Sequence, residues 1–189
     1  MSRKYKFRND EGVYFVSTTV WAWIDVFTRI EYKDILTNSL SFCQDEKGLK
    51  IHAYVLMTNH FHILISKKDQ TVSLSDIIRD LKKYTAMQII KAIKNNPKES
   101  RKEWMLELFS QAGKASSQNK VYQFWQQNNH PLEISENQKL ENVLQYIHNN
   151  PVKAGWVNEP DEYLYSSARN YLGKENRLKI HSIYDGTII

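Results

Sequence analysis

Cysteine is almost absent from this chain of 189 residues, since Cys43 is the only one. No disulfide can form within the chain, and a reducing compartment, the cytoplasm, is the expected location. No apolar run approaches the length of about 20 residues that crosses a bilayer, and no hydrophobic signal core follows the basic residues at the start. No membrane association is therefore expected. A Gly-x-x-x-x-Gly-Lys-Ser/Thr loop for a nucleoside triphosphate is also missing.

The composition is that of a folded globular protein, with 41% hydrophobic and 12% aromatic residues. The length suits one well-buried core and is short for two full domains. Lysine and arginine number 26 against 21 acidic residues, which gives a formal net charge of +5. A charge of this size permits binding to nucleic acid but does not require it.

The order of the predicted elements is strand, helix, strand, strand, helix, strand. This order indicates an α+β fold, a ferredoxin-like antiparallel sheet with helices packed on one face. Thr58-Asn59 joins two of the strands, and a connection of two residues implies an antiparallel hairpin. The strands are predicted at 12–20, 50–57, 60–66 and 121–126, and the two helices at 31–44 and 74–94.

The rest of the chain is predicted to be mainly helical. A short amphipathic helix is expected at 99–109, followed by a polar linker at 110–120. Ser135-Glu-Asn-Gln138 is a capping-box signature that opens a helix through His148, and Asn150-Pro151 is expected to start another short helix ending at Gly155. We expect a single domain over 1–189, with a core at about 12–130 and a helical C-terminal extension at about 131–189.

The most informative short motif is His60-Phe61-His62, inside an apolar strand. Alternate side chains of a strand point to opposite faces, so the two histidines share one face and Phe61 points to the other, toward a core. Two imidazoles at this spacing can share a metal ion. The motif is short, however, and a pair of strand histidines hydrogen-bonded to neighbours is the plain alternative.

Tyr84 and Gln88 lie one turn apart on the helix at 74–94, about 40° apart around its axis. They stand at the border of its apolar stripe, where they are expected to face a cleft between helix and sheet. A tyrosine phenolate can attack a phosphodiester and form a covalent phosphotyrosine. An ordinary boundary tyrosine and a solvated glutamine are the alternative.

Two separate motifs carry a resemblance to a known family. The run 57–64 (Met-Thr-Asn-His-Phe-His-Ile-Leu) resembles the HUH signature of the single-tyrosine transposases. The run 146–155 (Tyr-Ile-His-Asn-Asn-Pro-Val-Lys-Ala-Gly), followed by Tyr-Ser-Ser-Ala at 165–168, is similar to the C-terminal region of the REP-associated tyrosine transposases. The resemblance extends over roughly 14–172.

This resemblance implies a reaction and a set of residues. Family members cleave single-stranded DNA beside a hairpin, leaving a 5′-phosphotyrosine and a free 3′-hydroxyl that can rejoin strands without ATP. The implied metal ligands are His60 and His62, with Gln88 completing a site for Mg²⁺ or Mn²⁺. The implied nucleophile is Tyr84, on the helix after the histidine strand. A homodimer that shares active sites and a monomer both remain open, as does action of Tyr84 in cis or in trans.

Other polar residues are expected to have lesser roles. Candidate contacts to DNA phosphates are Arg79, Lys82, Lys83 and Lys91, although a row of helix lysines is more often a solvated face. His52, His130 and His148 are expected to be structural.

Three functions remain open from the sequence. A metal-dependent DNA strand transferase uses all of the proposed residues. A domesticated protein that binds hairpin DNA without cleaving it needs none of the chemistry. A metal-dependent hydrolase would use the histidines and water, with no tyrosine adduct.

Overall fold

The computed structural model describes residues 7–68, 72–116, 121–127, 129 and 131–189. None of the helices in these ranges is both long and apolar enough to cross a membrane. In chain order the elements are β1 (Val13–Thr19), α1 (Ile30–Lys47), β2 (Leu49–Leu56), β3 (His60–Lys67), α2 (Leu74–Asn95), α3 (Lys102–Ala115), β4 (Leu132–Ile134), α4 (Asn137–Lys153) and α5 (Ala168–Tyr171).

The four strands form one antiparallel sheet in the order β2-β3-β1-β4. Strand β3 pairs with both β1 and β2, and the predicted hairpin at Thr58-Asn59 joins β2 to β3. This arrangement of strands and of the helices α1 and α2 confirms the predicted α+β, ferredoxin-like fold class.

The sheet has a helical layer on each face. Phe61 and Ile63 point into the larger core, where they pack with the apolar stripes of α1 and α2. Leu64 points to the opposite face, which α4 covers with Leu144 and Ile147. Each fully buried side chain of this size stabilises the fold by about 1.5–3 kcal/mol. The C-terminal extension therefore covers the sheet face that α1 and α2 leave open.

The predicted strand at 121–126 is wrong. Over 121–127 the chain makes only an isolated bridge, between Trp125 and Val20 of the neighbouring segment. Gln123, Phe124 and Trp125 are all buried, so this segment does not alternate between a buried and an exposed face as an edge strand does. The fourth strand is β4, which pairs with β1.

The predicted linker at 110–120 is wrong over its first six residues, because α3 continues to Ala115. Ala112 and Gly113 are buried in its last turn. A side chain at Gly113 would meet the backbone of Val121 at 2.6 Å, so the close approach of these two segments requires glycine. Residues 117–120 lie outside the described ranges.

The predicted break before Pro151 is also wrong, since α4 is continuous through this proline. Proline removes one backbone N–H, and here that loss falls near the end of the helix. Asn150 donates from Nδ2 to the carbonyl oxygen of Tyr146 (3.0 Å), which satisfies a carbonyl in the last turns. Gly155, at φ +73°, then ends the helix with its N–H on the carbonyl of Val152 (2.9 Å).

Candidate active site

The two histidines of β3 lie side by side on the sheet face that α4 covers. Their ring centroids are 4.8 Å apart, as strand alternation leads one to expect for residues i and i+2. His62 is buried, whereas His60 is half-buried at the end of the strand. Phe15 of β1 stacks on the His62 ring at 5.3 Å and fixes its plane. The imidazoles are thus held near the end of a central strand, where His60 stays partly exposed.

Helix α4 brings Tyr146 to these histidines. Its hydroxyl oxygen lies 3.3 Å from Nε2 of His62, and the two ring centroids are 5.2 Å apart. Ile147 is buried against the sheet, so the residue before it stands at the edge of the buried stripe of α4. Tyr146 keeps 43% of its surface exposed, so its ring is in contact with solvent.

Asn150 follows Tyr146 by one helical turn and reaches His60. Its Nδ2 donates to the carbonyl oxygen of Tyr146 (3.0 Å), and its side chain lies close enough to His60 to oppose the lowering of that imidazole's pKa by burial. Because Nδ2 faces the helix backbone, Oδ1 is the atom left to face the imidazole. The Asn150 amide, the two imidazoles and the Tyr146 hydroxyl therefore lie close together.

Asn59 orients the ring of His60. Its Nδ2 lies 2.9 Å from Oδ1 of Asp25 and 3.2 Å from the carbonyl oxygen of Trp23, so Nδ2 donates to both. Its Oδ1 must then accept from His60 Nδ1, 2.7 Å away. This assignment, made from the hydrogen-bond network, places the proton of His60 on Nδ1 and leaves the lone pair on Nε2.

Both histidines are held in the neutral form that metal ligation requires. Burial lowers the pKa of His62 to about 3, with a smaller contribution from the charge of His60. Burial also lowers the pKa of His60, against the opposing effects of the Asn150 hydrogen bond and the Asp25 charge. The ammonium of Lys153 lies over the Tyr146 ring, 5.8 Å from its centre, and adds positive charge there.

The residues present fit a divalent metal ion. Nδ1 of His62 is buried and has no hydrogen-bond partner, so the polar atoms of this ring are not all satisfied by the fold itself. Among the described residues, no three His, Cys, Asp or Glu side chains converge on a metal position. A metal between His60 and His62 would therefore take its third protein ligand from the Asn150 amide or the Tyr146 hydroxyl, both of which are oxygen donors.

The structure does not bring Tyr84 and Gln88 to the histidines within one chain. The two side chains line a groove of about 660 Å³, and the other residues that line it come from α1 and α2. Their helix packs on the sheet face of Phe61, so the sheet lies between them and His62. The expected cleft between helix and sheet is instead a groove between two helices.

The four predicted DNA-contacting residues fall into two pairs. Arg79 forms ion pairs with Asp76 and Asp80 of its own helix, and Nζ of Lys82 hydrogen-bonds with the carbonyl oxygen of Gln126 (2.7 Å). Burial lowers the pKa of Lys82 to about 8. Lys83 and Lys91 are exposed and line a groove of about 830 Å³ between α2 and the segment after α3.

Two of the remaining histidines make structural contacts, as predicted. His52 bonds through Nδ1 to the carbonyl oxygen of His181 (3.0 Å) and through Nε2 to Oγ of Ser66 (2.8 Å). Nε2 of His148 lies 2.8 Å from Oγ of Ser167. His130 lies outside the described residues.

Tyr146 and Asn150 are the residues that sequence reasoning missed. Both belong to the quoted motif 146–155, and their spacing of four residues is the same as that of Tyr84 and Gln88. Helical periodicity therefore cannot choose between the two pairs. The choice depends on which face of the sheet each helix covers.

Comparisons with known proteins agree with this fold. The REP-associated tyrosine transposase, solved bound to a REP hairpin, has 17% sequence identity and a TM-score of 0.63, over 100% of this chain and 99% of that one. This likeness shows a shared fold. A protein of Deinococcus radiodurans R1, provisionally classed as a transposase, has 20% identity and a TM-score of 0.43 over 79% of this chain and 95% of that one. No curated protein matches the chain.

A family model described as "Transposase IS200 like" matches residues 20–117, which include β2, β3 and both histidines. The match extends over more than half of the 189 residues. The matched range also includes the whole of α3. The chain belongs to the family of IS200-like transposases.

Proposed function

We propose that this protein cleaves and rejoins single-stranded DNA with Tyr146 as the nucleophile. His60, His62 and Asn150 would hold a divalent metal, Mg²⁺ or Mn²⁺. One observation carries the proposal: the Tyr146 hydroxyl lies 3.3 Å from Nε2 of His62, in the same chain and on the same face of the sheet. Tyr84 and Gln88, the pair expected from the sequence, have no such relation to the histidines.

The reaction is a transesterification. The phenol of Tyr146 gives its proton to solvent, and its oxygen attacks the phosphorus of a phosphodiester. The bond from phosphorus to the 3′ oxygen breaks, and that oxygen takes up a proton to become a 3′-hydroxyl. The phosphorus stays bound to Tyr146 as a 5′-phosphotyrosine. Attack on this ester by a 3′-hydroxyl reverses the step, so one bond is exchanged for another and no ATP is consumed.

The residues around Tyr146 prepare this exchange. A bound divalent ion would polarise the phosphate and neutralise charge that develops on its oxygens. Neutral His60 and His62 keep their lone pairs for such an ion, and imidazole ligation makes Mn²⁺ a suitable metal in vitro. Lys153 adds a positive charge over the Tyr146 ring, which would attract an approaching phosphate.

The proposed substrate is a DNA hairpin with single-stranded flanks. The solved relative of the same fold was bound to a REP hairpin, and the chain carries the sequence motifs that resemble its family. Exposed Lys83 and Lys91 are proposed to contact phosphates, whereas Arg79 is paired with two aspartates of its own helix and Lys82 is hydrogen-bonded to Gln126. Since Tyr146 and the histidines meet within one chain, we propose action in cis.

A labelled hairpin library with randomised single-stranded flanks tests the proposal. The protein is incubated with the library and Mn²⁺, with and without EDTA, and covalent adducts are separated on denaturing gels. We expect adducts from the wild type and from Tyr84→Phe, and none from Tyr146→Phe or with EDTA. Hairpin binding by Tyr146→Phe, measured on native gels, should remain close to wild type.

The same gels separate the alternatives. Loss of adducts in Tyr84→Phe with their retention in Tyr146→Phe would overturn the assignment and favour Tyr84 acting on a second copy. Mixing Tyr146→Phe with His62→Ala should not restore adducts if the site is built in cis. Binding without any adduct indicates the non-cleaving hairpin binder, and cleaved products without adduct indicate a hydrolase that uses water.

A further inference from the structure

The segment between β1 and α1 presents two tryptophans to solvent. Trp21 is 36% exposed and Trp23 is 59% exposed. The segment itself is firmly anchored, because Val20, Ile24 and Phe27 are buried in the core. The backbone N–H of Phe27 also donates to the carbonyl oxygen of Thr58 (2.7 Å) in the β2–β3 turn. Large apolar side chains on a fixed backbone are thus left uncovered at one place.

The backbone that carries Trp23 is strained. Ala22 (φ 52°) and Trp23 (φ 57°) are consecutive non-glycine residues in the left-handed region, which a bulky L-residue rarely adopts. The N–H of Trp23 donates to the carbonyl oxygen of Val20 (3.1 Å), and Asn59 Nδ2 donates to the carbonyl oxygen of Trp23 (3.2 Å). Strain that the surroundings hold in place is concentrated at binding and catalytic sites.

The indole of Trp23 lies at the border of the candidate active site. Its ring centroid is 5.8 Å from that of His60, at an interplanar angle of 68°. Asn59 holds both groups, since its Nδ2 fixes the backbone of Trp23 and its Oδ1 fixes the ring of His60. The exposed indole and the proposed metal ligand are therefore kept at a set distance by one side chain.

We propose that Trp23 is a stacking platform for the unpaired nucleobase next to the cleaved phosphate. This inference rests on the proposed function, which places that phosphate at His60 and Tyr146. A base is joined to its phosphate through a single sugar, so a base flanking the reaction centre falls within reach of a ring that touches His60. Stacking on exposed aromatic rings is the common way in which proteins hold unpaired bases, and it accepts any base. An unpaired base also matches one exposed indole in size, whereas a protein partner would require a larger apolar patch.

The chain offers a matched control in Trp104. This tryptophan is 53% exposed on α3, whose neighbouring Met105 and Phe109 pack into the core on the other side of the sheet. Trp104 has almost the same exposed fraction as Trp23 but does not contact the sheet face that carries His60 and His62. Trp23→Phe is a second control, because phenylalanine retains an aromatic face.

The test measures binding of fluorescein-labelled hairpins with single-stranded thymidine flanks, in EDTA so that no metal-dependent cleavage occurs. In one series, each flank nucleotide in turn is replaced by an abasic sugar. We expect Trp23→Ala to weaken binding of the intact hairpin about five- to a hundredfold. Trp23→Phe should recover most of this loss, and Trp104→Ala should bind as the wild type does. At one flank position, the abasic substitution should weaken hairpin binding by the wild type and leave hairpin binding by Trp23→Ala unchanged.

Two results would overturn the platform. If each abasic substitution weakens binding by Trp23→Ala as much as it weakens binding by the wild type, the indole supports the loop and does not hold a base. Unchanged binding together with an altered oligomeric state, measured by light scattering without DNA, would make this surface a contact between copies. Circular dichroism checks that each variant is folded. Failure of the proposed function is distinguishable, because adduct formation by Tyr146 is read on separate gels and does not depend on this series.

Discussion

Replacing Glu99 with glutamine should reveal how much the connection between α2 and α3 stabilises the fold. The side chain of Glu99 is completely buried and accepts hydrogen bonds from Nε of Arg29 (2.7 Å) and Nε of Arg101 (3.1 Å). Burial raises its pKa, but the hydrogen bonds from Arg101 and Arg29 outweigh this and lower it to about 2. Arg101 also donates to the carbonyl oxygen of Asp25 (2.8 Å), so the cluster supports the segment that contacts Asn59.

The magnitude follows from the pKa. A carboxyl whose pKa falls from 4.5 in the unfolded chain to about 2 in the fold contributes about 3 kcal/mol at neutral pH. A depressed pKa gives stability that is present above pH 4.5 and is lost as the pH falls toward 2. Glu99→Gln removes the charge but keeps the shape, so the free energy of unfolding should drop by about 3 kcal/mol at pH 7.

Urea denaturation at pH 7, 6 and 4 measures the difference in free energy of unfolding between the wild type and Glu99→Gln. It should be constant from pH 7 to 6 and smaller by about 1 kcal/mol at pH 4, because the wild type itself begins to lose the contribution there. Glu103→Gln is the control, an exposed residue of α3 whose replacement should change stability by about 0.5 kcal/mol or less. A Glu99→Gln effect below about 1 kcal/mol at pH 7, or one that grows in acid, would refute the reasoning.

Two further substitutions test the loop that supports the site. Ala22→Gly should raise the melting temperature by about 1–3 °C in differential scanning calorimetry. Glycine removes the left-handed penalty of about 1–2 kcal/mol, but part of this gain is offset by the larger conformational entropy of glycine in the unfolded chain. A lower melting temperature would show that the backbone at Ala22 is not strained. Asn59→Ala should weaken Mn²⁺ binding about 10- to 100-fold in titration calorimetry, because the His60 ring loses its orienting partner. Asn38→Ala, on the exposed side of α1, should bind Mn²⁺ as the wild type does, and equal affinities for all three proteins would count against this role of Asn59.

Elements with strong local patterns could be predicted from the sequence. The β2–β3 hairpin follows from two apolar strands with a two-residue connection, and α2 follows from its capping Ser73 and a stripe at helical spacing. The structure of the segment 121–126 could not be predicted, because its aromatic residues fit a strand equally well. Their burial depends on packing between α2 and the edge of β1. The continuation of α4 through Pro151 likewise could not be predicted, because the missing N–H falls in the last turn of the helix, a position that a simple helix-breaker rule does not distinguish.

Tyr84 lies away from the histidines for a reason that follows from the topology. In the strand order β2-β3-β1-β4, β1 and β2 are parallel to each other, and α1 connects them across the sheet. Helix α2 makes the second such connection, from β3 to β4. Connections of this kind are almost always right-handed, which places both helices on the same face of the sheet.

The alternation of side chains along β3 then decides which helix can reach the histidines. Phe61 and Ile63 form the core with α1 and α2, so His60 and His62 must point to the opposite face. A tyrosine on α2 cannot reach that face within one chain, even though it lies at the border of the apolar stripe of its helix. A helix that contributes a residue to the site must therefore follow β4 or belong to a second copy. Helix α4 is the element that meets this condition here, and it carries Tyr146 to within 3.3 Å of His62.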